Sequence, residues 1–255
     1  MHKDSIVLHI PHSSLFIPDE ALNNYDKELL MKEFPLMTDR YTDELFNLPY
    51  TSIIFPFSRL FCDVERFRND EQEEMSQKGM GVIYTKTHNN IEYRKISEEE
   101  KLNILTQYYD MHHQKFEQLV TEKLRKYNEV LIVDCHSFNP YPLPHEKDKS
   151  DRPEICIGVD DFHTDKELYK HFNICFEYKK YKTKINSPFS GSIVPLRFYG
   201  KDKRVKSIMI ELNRGLYMNE KSVKNKNFEN LKKDISEIFK NIFEGAPLFA
   251  TPPVL

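Results

Sequence analysis

The 255-residue sequence predicts an α/β fold, a mixed sheet with helices on both faces. Three observations carry that expectation. Apolar runs at 6–10, 130–134 and 206–212 read as strands buried on both sides. Segments 97–126 and 222–243 repeat their apolar residues at helical spacing. Neither an internal repeat nor a domain linker interrupts the chain, so one domain over 1–255 is expected.

The elements follow in order. Segment 6–10 is a strand, and 20–36 is polar with scattered apolar positions, helical or irregular. Segment 38–46, TDRYTDELF, reads as a helix with Thr38 as N-cap. A strand is expected at 52–57, a charged loop or short helix at 69–78, a short strand at 81–85 and a turn at 88–90. The clearest helix is 97–126. Ser97 and Glu100 form a capping box there, and Leu102, Leu105, Tyr109, Phe116, Leu119 and Val120 form its apolar stripe. The central strand follows at 130–134. Segment 140–153, rich in Pro, Lys and Asp, reads as a long surface loop, a lid near the site. Beyond it come a strand at 155–159, a helix at 164–171, a strand at 173–177 and a small-residue loop at 187–195. A strand at 206–212, an amphipathic helix at 222–243 and an extended tail from Gly245 complete the chain.

Net charge is −3 with both signs abundant and no basic block, which argues against a nucleic-acid partner. No apolar run approaches the roughly 18–20 residues of a membrane span. The apolar stretch near the N-terminus is too short for a signal peptide, so a cytoplasmic protein is expected. Cys62, Cys135, Cys156 and Cys175 lack CxxC spacing and read as reduced thiols.

Three strand patterns deliver chemistry to their C-terminal ends, where open α/β sheets bind ligands. IVLHIPHSS ends at His12, VLIVDCHS at His136, and SIMIELNRG carries Glu211. Two imidazoles and a carboxylate are parts of a hydrolytic zinc site. A histidine satisfied at a turn is the competing reading for each imidazole alone. A catalytic zinc normally takes three protein ligands, and Asp39 and Asp43 are the best candidates for the third; an ordinary helix-terminus role competes. Glu211, in an otherwise apolar strand, reads as a general base or as the partner of Arg214 or Arg197. Arg59 and Arg66 suit a substrate carboxylate or a developing oxyanion, against structural pairing with Asp63 or Glu65. His113 lies at the edge of the apolar stripe. Cys135 and His136 point to opposite faces of a strand, which argues against a cysteine hydrolase. There is no GxSxG elbow and no phosphate loop.

In order along the chain, IPHSS, TDRYTDELF, SRLFCDVERF, GVIYTKT with EYRK, DCHSFNP, SGSIVP and IELNRGLYM resemble the N-formylglutamate amidohydrolase family. A more distant similarity is to zinc carboxypeptidases and aspartoacylases, which share a strand-end His-Ser ligand and a late-strand Glu base. The resemblance implies a phosphorylase/hydrolase-like three-layer α/β/α sandwich. It also implies a zinc-dependent amide hydrolase that releases formate from a small-molecule N-acyl amino acid. By analogy with the zinc carboxypeptidases, His136 is a metal ligand and Glu211 the general base. From the residues themselves come His12 and an aspartate, Asp39 in preference to Asp43, as metal ligands, Arg59 as a catalytic residue, and Arg66, Ser190, Arg214 and His113 as substrate-binding residues. The chain departs from the family's Asn-Arg pair, which reads Glu65-Arg66 here. The family's Tyr-His pair in the long helix reads Met111-His112-His113, with His113 the matching position.

Overall fold

In a computed structural model of the chain, which describes residues 1–149 and 151–247, six strands form one mixed sheet. They are β1 (Ile6–Ile10), β2 (Thr51–Ile54), β3 (Val130–Phe138), β4 (Ile155–Gly158), β5 (Thr183–Ile185) and β6 (Val205–Asn213), in spatial order β2-β1-β3-β6-β4-β5. β2, β1, β3 and β6 run parallel, and β4 meets β6 antiparallel. The helices are α1 (Asp19–Leu22), α2 (Lys27–Met37), α3 (Thr42–Leu45), α4 (Glu98–Ile104), α5 (Asp110–Tyr127), α6 (Lys166–Tyr178) and α7 (Phe228–Glu244). Among the described residues no helix is long and apolar enough to cross a membrane.

Strand alternation divides the core. Leu131, Val133 and Cys135 of β3 and Ile208, Ile210 and Leu212 of β6 pack with Phe172, Phe176, Leu231, Ile235 and Phe239 of α6 and α7. Val7, Val130, Ile132 and Val205 turn the other way, onto Phe116, Val120 and Leu124 of α5. The sandwich therefore has helices on both faces, as the sequence predicts. His9, Asp134, His136 and Glu211 share the α5 side by the same alternation. Above that side, a second cluster gathers Leu30 and Met37 of α2 with Phe55, Phe61, Val64, Val82 and Tyr109.

Several expected elements differ. Segment 38–46 is helical only from Thr42, because Tyr41 takes a left-handed conformation, φ 68°. Residues 173–177 belong to α6, not to a strand: Phe172, Cys175 and Phe176 are spaced as one buried helix face. Residues 81–85 form only isolated bridges, and α7 begins at Phe228 rather than at Ser222. The three-residue β5 is too short and polar to leave a pattern. Most of the expected extended tail, 248–255, lies outside the described residues.

The helix from Ser97 runs from α4 to α5 through one π-helical turn, Leu105–Tyr109. Its capping box is present as expected. Ser97→Ala should lower stability by about 0.5–2 kcal/mol, read by denaturant unfolding. The helix also supports the segment beside β1. Tyr109 Oη donates to the Arg66 carbonyl at 2.8 Å, and His113 Nε2 to the Val64 carbonyl at 2.8 Å.

Candidate metal centre

His12 follows β1, while His136 and Glu211 lie side by side near the ends of β3 and β6. Asp39 reaches them from the turn before α3. That turn is fixed by Thr42, whose N–H and Oγ1–H both donate to the Asp39 carbonyl. The carboxylate is thus free to face inward, where Oδ2 lies 3.1 Å from His136 Nδ1 and 3.7 Å from His12 Nδ1. Asp43 is exposed on α3 and does not face the site.

Each imidazole is held on its far nitrogen by a buried aspartate. His12 Nε2 meets Asp63 Oδ1 at 2.8 Å, and His136 Nε2 meets Asp134 Oδ1 at 3.0 Å. Ionised carboxylates only accept, so Nε2 carries hydrogen on both rings, and His136, which also meets Asp39 through Nδ1, donates from both nitrogens. Asp134 is also bonded by His9 Nδ1 at 2.8 Å and the Ile193 N–H at 3.2 Å. His9 Nε2 in turn meets His112 Nε2 at 3.1 Å. Burial, then the neighbouring His9, pushes the basicity of His112 down to about 2, so it stays neutral.

Glu65 is the carboxylate that sequence reasoning did not place in the site. Its oxygens lie 3.2 Å from His136 Nε2, 3.6 Å from His12 Nδ1 and 3.6 Å from His9 Nδ1. It joins His12 and His136 in one group able to hold a metal, and His9 and Asp134 in a second. The one signal was its occurrence in the motif at the usual Asn position.

Burial opposes charge at every one of these groups, and the neighbours decide the outcome. Burial disfavours the charged His136, yet Glu65, Asp134 and Asp39 raise it well above an ordinary histidine. Burial would raise Asp63, but Arg59 and His12 hold it well below the usual carboxylate range. The neighbouring His12 and His136, with Arg214 beside them, do the same for Asp39 against its burial. Glu211 goes the other way: burial pushes its carboxyl up to about 8, and Oε2 has no hydrogen-bond partner. His12 Nδ1 is likewise buried and unpartnered. Two nitrogens, a carboxylate between them and an orphaned ligand atom fit a divalent metal of the zinc type.

The sequence model of N-formylglutamate amidohydrolase matches residues 4–218. The chain belongs to this family. No curated protein gives a significant match. Among solved structures, the chain is similar to N-formylglutamate amidohydrolase from Ralstonia eutropha JMP134, at 20% identity and TM-score 0.81, covering 96% of this chain and 95% of that one. It is also similar to a gene product from Agrobacterium tumefaciens, at 20% identity and TM-score 0.65, covering 94% and 92%. These two likenesses concern the fold.

In this N-formylglutamate amidohydrolase-family chain, the metal candidates open onto a cavity of about 570 Å³. Arg59, Arg66, Ser190 and Arg214 line it, but His113 does not. His113 spends its Nε2–H on the Val64 carbonyl and positions the 64–66 segment from behind. The arginines differ in what remains of their donors. Arg59 is committed to Asp63 through Nε at 3.1 Å and Nη2 at 2.7 Å. Arg214 donates to Asp39, Ser137 and the Leu36 carbonyl at the end of α2. Arg66 approaches Asp63 and Glu73 only at 3.7 and 3.6 Å, and its buried Nε has no partner. The 140–153 loop, expected as a lid, does border the cavity through Leu143 and residues 145–148.

Proposed function

We propose that this chain is a zinc-dependent amide hydrolase that releases formate from an N-formyl amino acid, with N-formyl-L-glutamate the first candidate. The observation that carries the reading is the convergence of His12 Nδ1 and His136 Nδ1 on one Asp39 oxygen, with Glu211 beside His136 on the next strand. Family membership supplies the reaction class.

His12, His136 and Asp39 would hold the ion, with Glu65, which groups with both histidines, a further ligand candidate. When bound, zinc supplies a Lewis acid for the amide carbonyl and acidifies a water.

The remaining steps belong to the chain's own residues. Glu211, short of partners and reluctant to ionise, takes a proton from the attacking water and returns it to the departing nitrogen. Asp63 and Asp134 keep the two imidazoles in the tautomer that presents Nδ1. Arg59 sets a fixed positive charge beside the cavity through Asp63, where oxyanion charge would develop. Arg66 keeps the donors a substrate carboxylate needs.

The test is formate release from N-formyl-L-glutamate by zinc-loaded and chelator-stripped protein, with zinc content measured in parallel. The loaded protein should turn over, and the stripped protein should lose at least about 10²-fold. Equal activity in the two preparations would remove the metal from the reading. Silence from the loaded protein would remove the substrate.

A further inference from the structure

We propose that His145, carried by the 140–153 loop, forms with Arg66 the subsite for the side-chain carboxylate of an acidic N-acyl amino acid. This inference rests on the hydrolase reading and deepens it, because it names what selects the substrate.

Four observations lead there. His145 and Arg66 both line the cavity that contains His12, His136 and Glu211. Each offers a buried nitrogen with no partner, Nδ1 of His145 and Nε of Arg66. Other polar side chains near them are already engaged: Arg59 by Asp63, Tyr84 by Asp63, and Glu73 by the Phe67 and Met75 N–H groups. The part of the loop that lines the cavity is also tethered. Lys78 Nζ donates to the His145 carbonyl at 3.0 Å, and Lys147 pairs with Glu74 at 2.6 Å.

The chemistry suits an anion. Burial, then Arg59, Lys78 and Arg66, brings His145 down to about 4, so at neutral pH it adds an N–H donor without a second buried cation. A guanidinium supplies the charge, and a neutral imidazole in the Nδ1–H tautomer supplies direction. Buried donors left unpaired by a substrate without the carboxylate penalise that substrate, which is how such a site discriminates.

Wild type, His145→Ala and His145→Gln would be compared as zinc-loaded proteins. In turnover, the alanine variant should raise KM for N-formyl-L-glutamate by about tenfold or more. Its kcat should stay within about twofold, and kcat/KM for N-formyl-L-alanine should not move. The glutamine variant, which keeps an N–H donor, should recover part of the loss. Equal losses on both substrates, or no loss on either, would overturn the subsite. Calorimetry with glutarate and butyrate tests the same point without turnover. Wild type should prefer glutarate by about tenfold or more, and the alanine variant should lose that preference. An unchanged preference would overturn the proposal. If no preparation releases formate, the N-formyl substrate reading fails by itself, and the calorimetric ratio still decides the subsite.

Discussion

Glu211→Gln is expected to lower kcat by about 10²–10⁴-fold while zinc content and unfolding midpoint stay close to wild type. The amide is nearly isosteric with the carboxyl, and it removes a group that costs energy to ionise where it stands. Among the described residues the groups able to hold an ion are built from His9, His12, Glu65, Asp134 and His136, and do not include Glu211. The measurements are steady-state formate release and metal analysis on one preparation. Retention of most activity would mean that another group moves the proton. Loss of the zinc would mean that Glu211 serves the ion instead.

Asp63→Asn should produce the largest combined effect on stability and metal affinity. Asp63 is fully buried and accepts from His12, both forks of Arg59, the Tyr84 hydroxyl and the Glu65 N–H. Removing its charge leaves the Arg59 guanidinium without its counter-charge, a change that costs about 3–5 kcal/mol when a buried pair is broken. It also frees the His12 ring, and loss of such a supporting carboxylate typically lowers metal affinity about 10–100-fold. Denaturant unfolding of stripped protein reads the first effect, and competition against a zinc chelator reads the second. If both values match wild type, Asp63 is not the hub that its contacts suggest.

Much of the fold was legible because its signals are local. The runs at 6–10 and 130–134 are all apolar, and the Ser97 cap with its stripe defines the long helix without ambiguity. What was not legible depends on conformation or partners. The left-handed Tyr41 that cuts the 38–46 helix has no glycine to announce it. The NICFE stretch of α6 looks extended until Phe172 is counted with Cys175 and Phe176. In the site, strand ends point to His12, His136 and Glu211, while Asp39 and Asp43 both remain candidates in the sequence until their positions in space separate them. Asp63 could be named only as an ion-pair partner, since its role appears when residues 12, 59 and 84 meet in space. Asp134 stands two residues before His136, but its link to His9 and His112 joins positions more than 100 residues apart. His145 had no signal beyond membership of a loop.

Strand alternation makes the centre sensitive to chain length as well as to chemistry. Along β3, residues 131, 133 and 135 enter the packed apolar side, while 132, 134 and 136 face α5 and the site. Inserting or deleting one residue there would send a thiol where the imidazole belongs and bury an aspartate among phenylalanines. The matching step in β6 would do the same to Glu211 and its neighbours Ile210 and Leu212. Loops such as 140–153 can absorb length changes, whereas these two strands tolerate them only in pairs of residues.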